Sequence, residues 1–504
     1  MSSHIPDLRR LVSDEYTRTL GTTPASPAVT FWDLGGTSFQ LAALLARLAH
    51  RTGISVPVSR LFRDTSIDGV VTAFSGHSAT GLPAPTAGWV PALVRNCVLR
   101  QRLSPQDTAG NCVMLWELDG ETDRDALRQA VQELVARHDA LRSSFSMRGH
   151  IASASDTPGG KPLLMSFESR EEALKEVRAL LEEPLAPSRG VVQRSVVAEV
   201  GPASTLVGFV VHHAAFDGYS ESLVAEELGH LYRHCVGEES CPVAEQPSLA
   251  GAYETLSTTR MFPDFEHQRS RAASYLAGLP DLPLDALHEG DAPSSADSRP
   301  LQAEMPCGGR LRQRAAELGV PYFSLLATAY ARTLQAETGA SDVVFGVPVN
   351  RRMGLPLARV IGNFVSMLPV RIGLPPDGSF EEAVSSVRTG VVEGFGLMDL
   401  DFGDILGMLP PASKGRAYRH VFALQDNPAP RLDVPEARAS FIRQPYSQLA
   451  NDTMLEVWPT GTGYSDESET VVLSYRPSAV SDEVARAVLD TFLNQLIEAA
   501  EHGS

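Results

Sequence analysis

The chain has 504 residues, 43% of them hydrophobic, with 43 basic against 61 acidic side chains and a formal net charge of -18. A single hydrophobic core stops growing well short of that length, so at least two folding units are expected. The acidic balance argues against nucleic acid as a partner, and the lack of any long apolar run or basic amphipathic stretch argues against a membrane.

The polar N-terminus, MSSHIPDLRRLVSDEY, contains no apolar segment of the secretory kind. The cysteines at 97, 112, 235, 241 and 307 are irregularly spaced and form neither a CxxC pair nor a zinc pattern. That usage fits a reducing cytoplasm, and no metal site is expected.

Residues 5–20 read as a helix, with Ile5, Leu8, Leu11, Val12 and Tyr16 on one side. After a Thr/Pro/Ser-rich loop, FWDLGGTS leads into a second helix with the stripe Leu41, Leu44, Leu45 and Leu48. Short helices near Leu61 and over Ile67–Phe74 complete a compact unit at 1–76. A linker rich in small residues and proline covers 77–90. Strands are then expected at Cys112–Leu118 and Thr205–Val211, and helices at Asp123–Arg137, Arg170–Leu181 and Gly218–Cys235. A second set follows a Pro-rich stretch at Leu279–Pro300. Its helices lie near Gln313–Leu318, Phe323–Thr338, Phe380–Phe395 and Glu483–Glu501, and its strands near Val343–Val347, Phe364–Ile372, His420–Gln425, Met454–Trp458 and Val471–Tyr475. Two successive mixed sets imply two α/β lobes, placed at 91–270 and 271–504.

Two motifs carry chemistry. In Asp33-Leu34-Gly35-Gly36-Thr37-Ser38 the glycines permit a tight turn that puts Ser38 at a helix start, where backbone N–H groups favour an anion. Taken alone, Ser38 is either an N-cap or a site modified by another enzyme. In His212-His213-Ala214-Ala215-Phe216-Asp217-Gly218 an apolar strand ends in two imidazoles. A neutral imidazole there could move or hold an amine proton, and the Gly218 N–H at the helix start could face an oxyanion. Side chains alternate along a strand, which assigns His213 to a cleft and His212 to its support. Buried structural histidines and metal binding remain the competing readings.

The flanks resemble a known family. FWDLGGTSFQLAALLARL is similar to the carrier domain of nonribosomal peptide synthetases, and VHHAAFDGYS resembles the M-H-H-x-x-x-D-G-W-S motif of their condensation domains. RHDALRSSF, GVPVNRR, IGNFVSMLPVRI and HVFALQDNP resemble further condensation segments in the family's order. The resemblance implies an all-α four-helix carrier domain followed by an α/β condensation domain of two chloramphenicol-acetyltransferase-like lobes arranged in a V. It implies a covalent 4′-phosphopantetheine on Ser38, His213 as the central catalytic residue, and a structural salt bridge from Asp217 to Arg351, with Arg142 as second choice.

The implied reaction is amide formation between a donor thioester on Ser38 and an aminoacyl group on a downstream carrier. The implied partners are a phosphopantetheinyl transferase, an upstream adenylation domain and that acceptor carrier, with the chain itself a monomer. Tyr219 replaces the family's Trp, and NCVLRQRLSPQD matches the family's first motif poorly. Epimerisation is the nearest enzymatic rival, but its Trp-rich segment is replaced here by IGNFVSM. Ester formation from an alcohol acceptor and a non-catalytic recruitment platform also compete with amide formation.

Overall fold

The computed structural model describes residues 8–31, 33–34, 41, 44–45, 47–48, 51–52, 54, 56, 61, 64–75, 88–146, 151–152, 161–201, 203–240, 248–258, 265–285, 297–352 and 356–501. Ser38 with its two preceding glycines and most of the expected linker lie outside the described residues.

The N-terminal region is helical. Helices Leu8–Leu20 and Ile67–Ser75 bracket helical residues that include Leu41, Leu44, Leu45 and Leu48. Their apolar faces meet in one cluster with Val12, Tyr16, Phe31, Val70 and Phe74. Burial of about ten such side chains, each contributing roughly 1.5–3 kcal/mol, is what lets so short a region hold together. Buried Glu15 ties two helical elements by accepting from Arg47 Nε at 2.7 Å and Arg51 Nη1 at 3.0 Å.

The rest is a two-sheet α/β fold. Apart from a short antiparallel pair at Ser144–Phe145 and Ile151–Ala152, the strands in chain order are β1 (Asn111–Gly120), β2 (Leu163–Phe167), β3 (Gln193–Val200), β4 (Ser204–His212), β5 (Arg299–Glu304), β6 (Asp342–Asn350), β7 (Val365–Gly373), β8 (His420–Leu424), β9 (Ala437–Phe441), β10 (Thr453–Trp458) and β11 (Thr470–Tyr475). The first sheet runs β9-β1-β4-β3-β2 and the second β5-β11-β10-β8-β6-β7. Strand β4 is buried on both faces, so its sequence is almost continuously apolar rather than alternating. Leu206 and Val210 pack toward helix Arg170–Glu182, while Val207, Phe209 and Val211 join the cluster of helices Arg124–Arg137 and Gly218–Cys235.

The expected lobe boundary needs one correction. Strand β9, placed by sequence order in the C-terminal lobe, pairs antiparallel with β1 in the first sheet, Phe441 opposite Trp116. Trp116 stays fully buried, donates its indole N–H to Pro430 O at 2.8 Å and packs its ring 5.2 Å from Phe441. The poorly matched segment is helical over Ala92–Leu103 and buries Val94 and Val98.

Candidate active site

Strand β4 ends at His212, paired with Asn111 of β1, and the chain then turns through residues 213–217 into helix Gly218–Cys235. The turn separates the two imidazoles. His212 is 1% exposed, and its Nδ1 accepts from the Ala214 N–H at 3.1 Å. Burial first, then the neighbouring His213 and Arg100, lower its pKa to about 3, so it stays neutral. Gly110 packs against its ring, where an added Cβ would stand 2.8 Å from Nε2.

His213 lies half-buried on a cavity of about 280 Å³. Its Nδ1 is 2.5 Å from Phe216 O. A carbonyl can only accept, so Nδ1 carries a proton, and in the neutral ring the lone pair is on Nε2. The backbone around it is clamped: His213 N donates to Gly110 O at 2.6 Å, and fully buried Asn363 donates Nδ2 to His213 O at 2.6 Å.

Asp217 points away from that ring. It caps the following helix, with Oδ1 accepting from Ser220 N at 3.0 Å and Ser220 Oγ at 2.9 Å, and Oδ2 from Phe364 N at 3.0 Å. Its cationic partner is Arg352, whose Nη2 donates to Oδ1 at 2.8 Å, with both side chains 1% exposed. This corrects the expected pairing with Arg351. Both arginines are buried, but consecutive side chains beyond β6 diverge: Arg352 reaches Asp217, while Arg351 lies near Asp401. Arg352 also donates to Leu357 O, Val360 O and Gly362 O, and its guanidinium lies over Phe364 at 4.3 Å and Tyr219 at 5.0 Å. Arg142 is bonded instead to the carbonyls of Val135 and Ala136.

Gly218 opens the helix on the cavity wall, and a Cβ there would stand 3.2 Å from Asn427 Nδ2. The two sheets therefore face each other across the cavity. The first contributes Cys112, His213 and Glu221, and the second Val347, Gln425 and Trp458. Leu41, three positions after Ser38, is also a lining residue. Sequence reasoning missed Asn363 and Arg352, although both stand inside segments it quoted. It also missed Glu221 and Arg443, which line the cavity, and the buried Glu456 near them. Arg443 Nη1 binds both Glu221 oxygens, at 2.9 and 2.8 Å. Among the described residues, no group of three His, Cys, Asp or Glu could hold a metal ion, and no helix is long and apolar enough to cross a membrane.

A family model described as the condensation domain matches residues 97–504. The chain belongs to the condensation domain family. A second model, the phosphopantetheine attachment site, matches residues 10–74, so the helical region is a carrier of the kind that holds 4′-phosphopantetheine covalently on a serine. The chain is 26% identical over 526 residues to a dimodular nonribosomal peptide synthase of Bacillus subtilis (strain 168), covering 97% of this chain and 22% of that protein. It is 26% identical over 442 residues to the cyclosporin synthetase of Tolypocladium inflatum, covering 84% of this chain and 3% of that protein. The chain thus spans less than a quarter of the curated relatives it matches. The first condensation domain of the calcium-dependent antibiotic synthetase, in complex with a substrate analogue, aligns with a TM-score of 0.67 at 21% identity, covering 83% of this chain and 98% of that one. The X-domain in complex with OxyB from teicoplanin biosynthesis aligns at 0.68 with 19% identity, covering 84% and 95%. These structural likenesses establish the shared fold.

Proposed function

We propose that the chain joins a donor acyl or peptidyl group, held on Ser38, to the amine of an aminoacyl group on a separate downstream carrier, forming an amide. The observation that carries this reading is the His213 ring, fixed through Nδ1 on the cavity that both sheets line.

Ser38 is the residue that would hold 4′-phosphopantetheine, and the position of Leu41 on the cavity lining supports a reach from carrier to His213. That group supplies a thiol on a long arm. The chain's own residues do the rest. His213 Nε2 accepts a hydrogen bond from the incoming amine, orients it, takes up its proton as it attacks, and would return that proton to the departing sulfur as the thioester C–S bond breaks. An α-amine has a reference pKa of about 7.7–8.0, so only modest help is required. The helix start at Gly218 faces the carbonyl oxygen as it gains charge, where its dipole is favourable. Asp217 and Arg352 fix the turn that presents the imidazole and do not touch the reacting atoms. Two tethered reactants in one cavity gain most of their rate from proximity.

A phosphopantetheinyl transferase would modify Ser38, an adenylation domain would supply the donor, and a further carrier would bring the acceptor. The test loads Ser38 with a defined aminoacyl-pantetheine, offers an aminoacyl carrier and follows intact masses. Transfer by wild type that falls at least about 100-fold in His213→Ala supports the reading. Equal transfer by both proteins overturns it, as does loss of stereochemical purity without transfer, which would indicate epimerisation.

A further inference from the structure

The segment that follows β9 brings an arginine into the cavity with a donor to spare. Arg443 lines the cavity, and its side chain is 7% exposed. Glu221 stands one helical turn beyond Gly218, on the same side of the helix, and accepts from Arg443 Nη1 on both oxygens, at 2.9 and 2.8 Å. Arg443 Nε donates to Thr462 O at 3.2 Å. The guanidinium carbon lies 4.6 Å from the centre of the Phe441 ring and 4.3 Å from that of Trp458, which holds its plane. Nη2 is the nitrogen left over: it has no hydrogen-bond partner among the described residues. Unpaired Arg352 Nε is shut inside the fold, whereas Arg443 Nη2 keeps accessible surface.

A planar guanidinium held at two nitrogens and against two rings cannot turn its third nitrogen away. The position therefore suits an oxygen brought in through the cavity. Charge decides which kind. Glu221 already balances Arg443, and the lining sets Glu182, Glu221 and Asp426 against Arg178 and Arg443. A second carboxylate at Nη2 would be repelled by Glu221 at close range, whereas a neutral carbonyl accepts the same hydrogen bond without that cost. The next residue sharpens the choice. Gln444 also lines the cavity, and its Nε2 donates to Ile442 O at 3.0 Å, which leaves Oε1 as the end able to accept. A donor and an acceptor together complement an amide, which offers a C=O and an N–H.

Resting on the amide-forming reading, we propose that Arg443 is a specificity-determining residue whose Nη2 donates to an uncharged amide carbonyl on the acyl group carried into the cavity. A side-chain carboxamide and the last peptide bond of a peptidyl chain present the same C=O and N–H, so either source serves. An apolar side chain leaves Nη2 unmet, and a carboxylate meets the charge of Glu221 as well as that of the guanidinium. Arg443 sets which acyl group binds and leaves the step at His213 unchanged.

The experiment measures binding separately from turnover. Pantetheine amides of glutamine, glutamate, homoleucine and N-acetylhomoleucine are titrated calorimetrically against the full chain and its variants. The first three side chains are close in shape and end in a carboxamide, a carboxylate or a branched alkyl group. A hydrogen bond from a charged donor predicts that glutaminyl or N-acetylhomoleucyl binds at least about tenfold tighter than homoleucyl in wild type. The arm that shows the preference identifies the source of the amide, and glutamyl should bind more weakly than glutaminyl. Arg443→Lys keeps a charge for Glu221 but lacks the second nitrogen. Arg443→Gln combined with Glu221→Gln removes both charges together, so no buried charge is left unpaired. The preference should collapse in both variants and persist in His213→Ala. Equal wild-type affinities, tighter glutamyl than glutaminyl binding, or a preference that survives either Arg443 variant overturn the assignment even if amide formation proceeds. An amide preference lost with Arg443, in a chain that forms no amide bond, upholds the assignment and overturns the catalytic reading.

Discussion

Three side chains have consequences that can be measured one at a time. His213 is half-buried, with its ring bonded to Phe216 O and only distantly approached by Asn363 Nδ2 at 3.5 Å, so His213→Ala should cost about 1 kcal/mol of stability. Its effect on amide formation should be far larger, ~10²–10⁴-fold, and paired rate and urea-unfolding measurements would show the divergence. Asp217 and Arg352 behave oppositely. Each is 1% exposed, and removing either leaves the other as an uncompensated buried charge. Asp217→Ala or Arg352→Ala should therefore cost about 3–5 kcal/mol in chemical denaturation. An unchanged unfolding midpoint with lost activity would instead assign Asp217 to the chemistry.

Glu456 gives a pH signature. Its native pKa is raised from 4.5 to about 7, chiefly by burial. Between those values the folded state holds a proton that the unfolded chain releases, so this contribution is present at low pH and is lost as pH rises through 7. Glu456→Gln should gain stability relative to wild type between pH 5 and 8, by at most about 3 kcal/mol. His212 and His420 act in the reverse direction, their pKa values lowered by burial from 6.5 to about 3 and about 4. They remain neutral in the fold while the unfolded chain protonates, so stability falls as pH drops below 6.5.

At the scale of elements, the crossing segment is the connection to probe. Strand β9 leaves the second half of the sequence to complete the first sheet, and the Ile442 N–H just beyond it donates to Leu115 O at 2.8 Å. Arg443 and Tyr446 follow directly and line the cavity. Ile442→Pro removes that donor and should cost about 1–3 kcal/mol. Because the residues that follow line the cavity, the KM for the carrier-bound substrates should rise with it, and steady-state kinetics beside thermal melting would check both. Of the strands that sequence reading passed over, β2, β5 and β9 are sheet edges without a continuous apolar run, and β5 begins with Arg299-Pro300; interior β3 was missed because Arg194, Ser195 and Glu199 interrupt its apolar residues. The helix at Ala92–Leu103 was missed because polar residues interrupt its buried stripe of Val94, Val98 and Gln101.

Across the whole molecule the cores are separate. The carrier cluster around Leu41, Tyr16 and Phe74 does not merge with those of the two sheets. Amide protons of the carrier should thus exchange through their own opening, and hydrogen exchange should show carrier protection lost at lower denaturant than that of β4 or β10. The sequence by itself determined the carrier-plus-α/β organisation, the central strands and the histidine turn. Those depend on neighbours in the chain: apolar runs, helical stripes, and a motif whose residues act within one turn. The tertiary structure alone decided that Arg352 rather than Arg351 meets Asp217, that β9 belongs to the first sheet, and that Arg443 shares a cavity with His213. Each depends on residues far apart in sequence meeting across a fold. Which of two adjacent buried arginines meets Asp217, or which strand a late segment joins, is set by packing that no local pattern records.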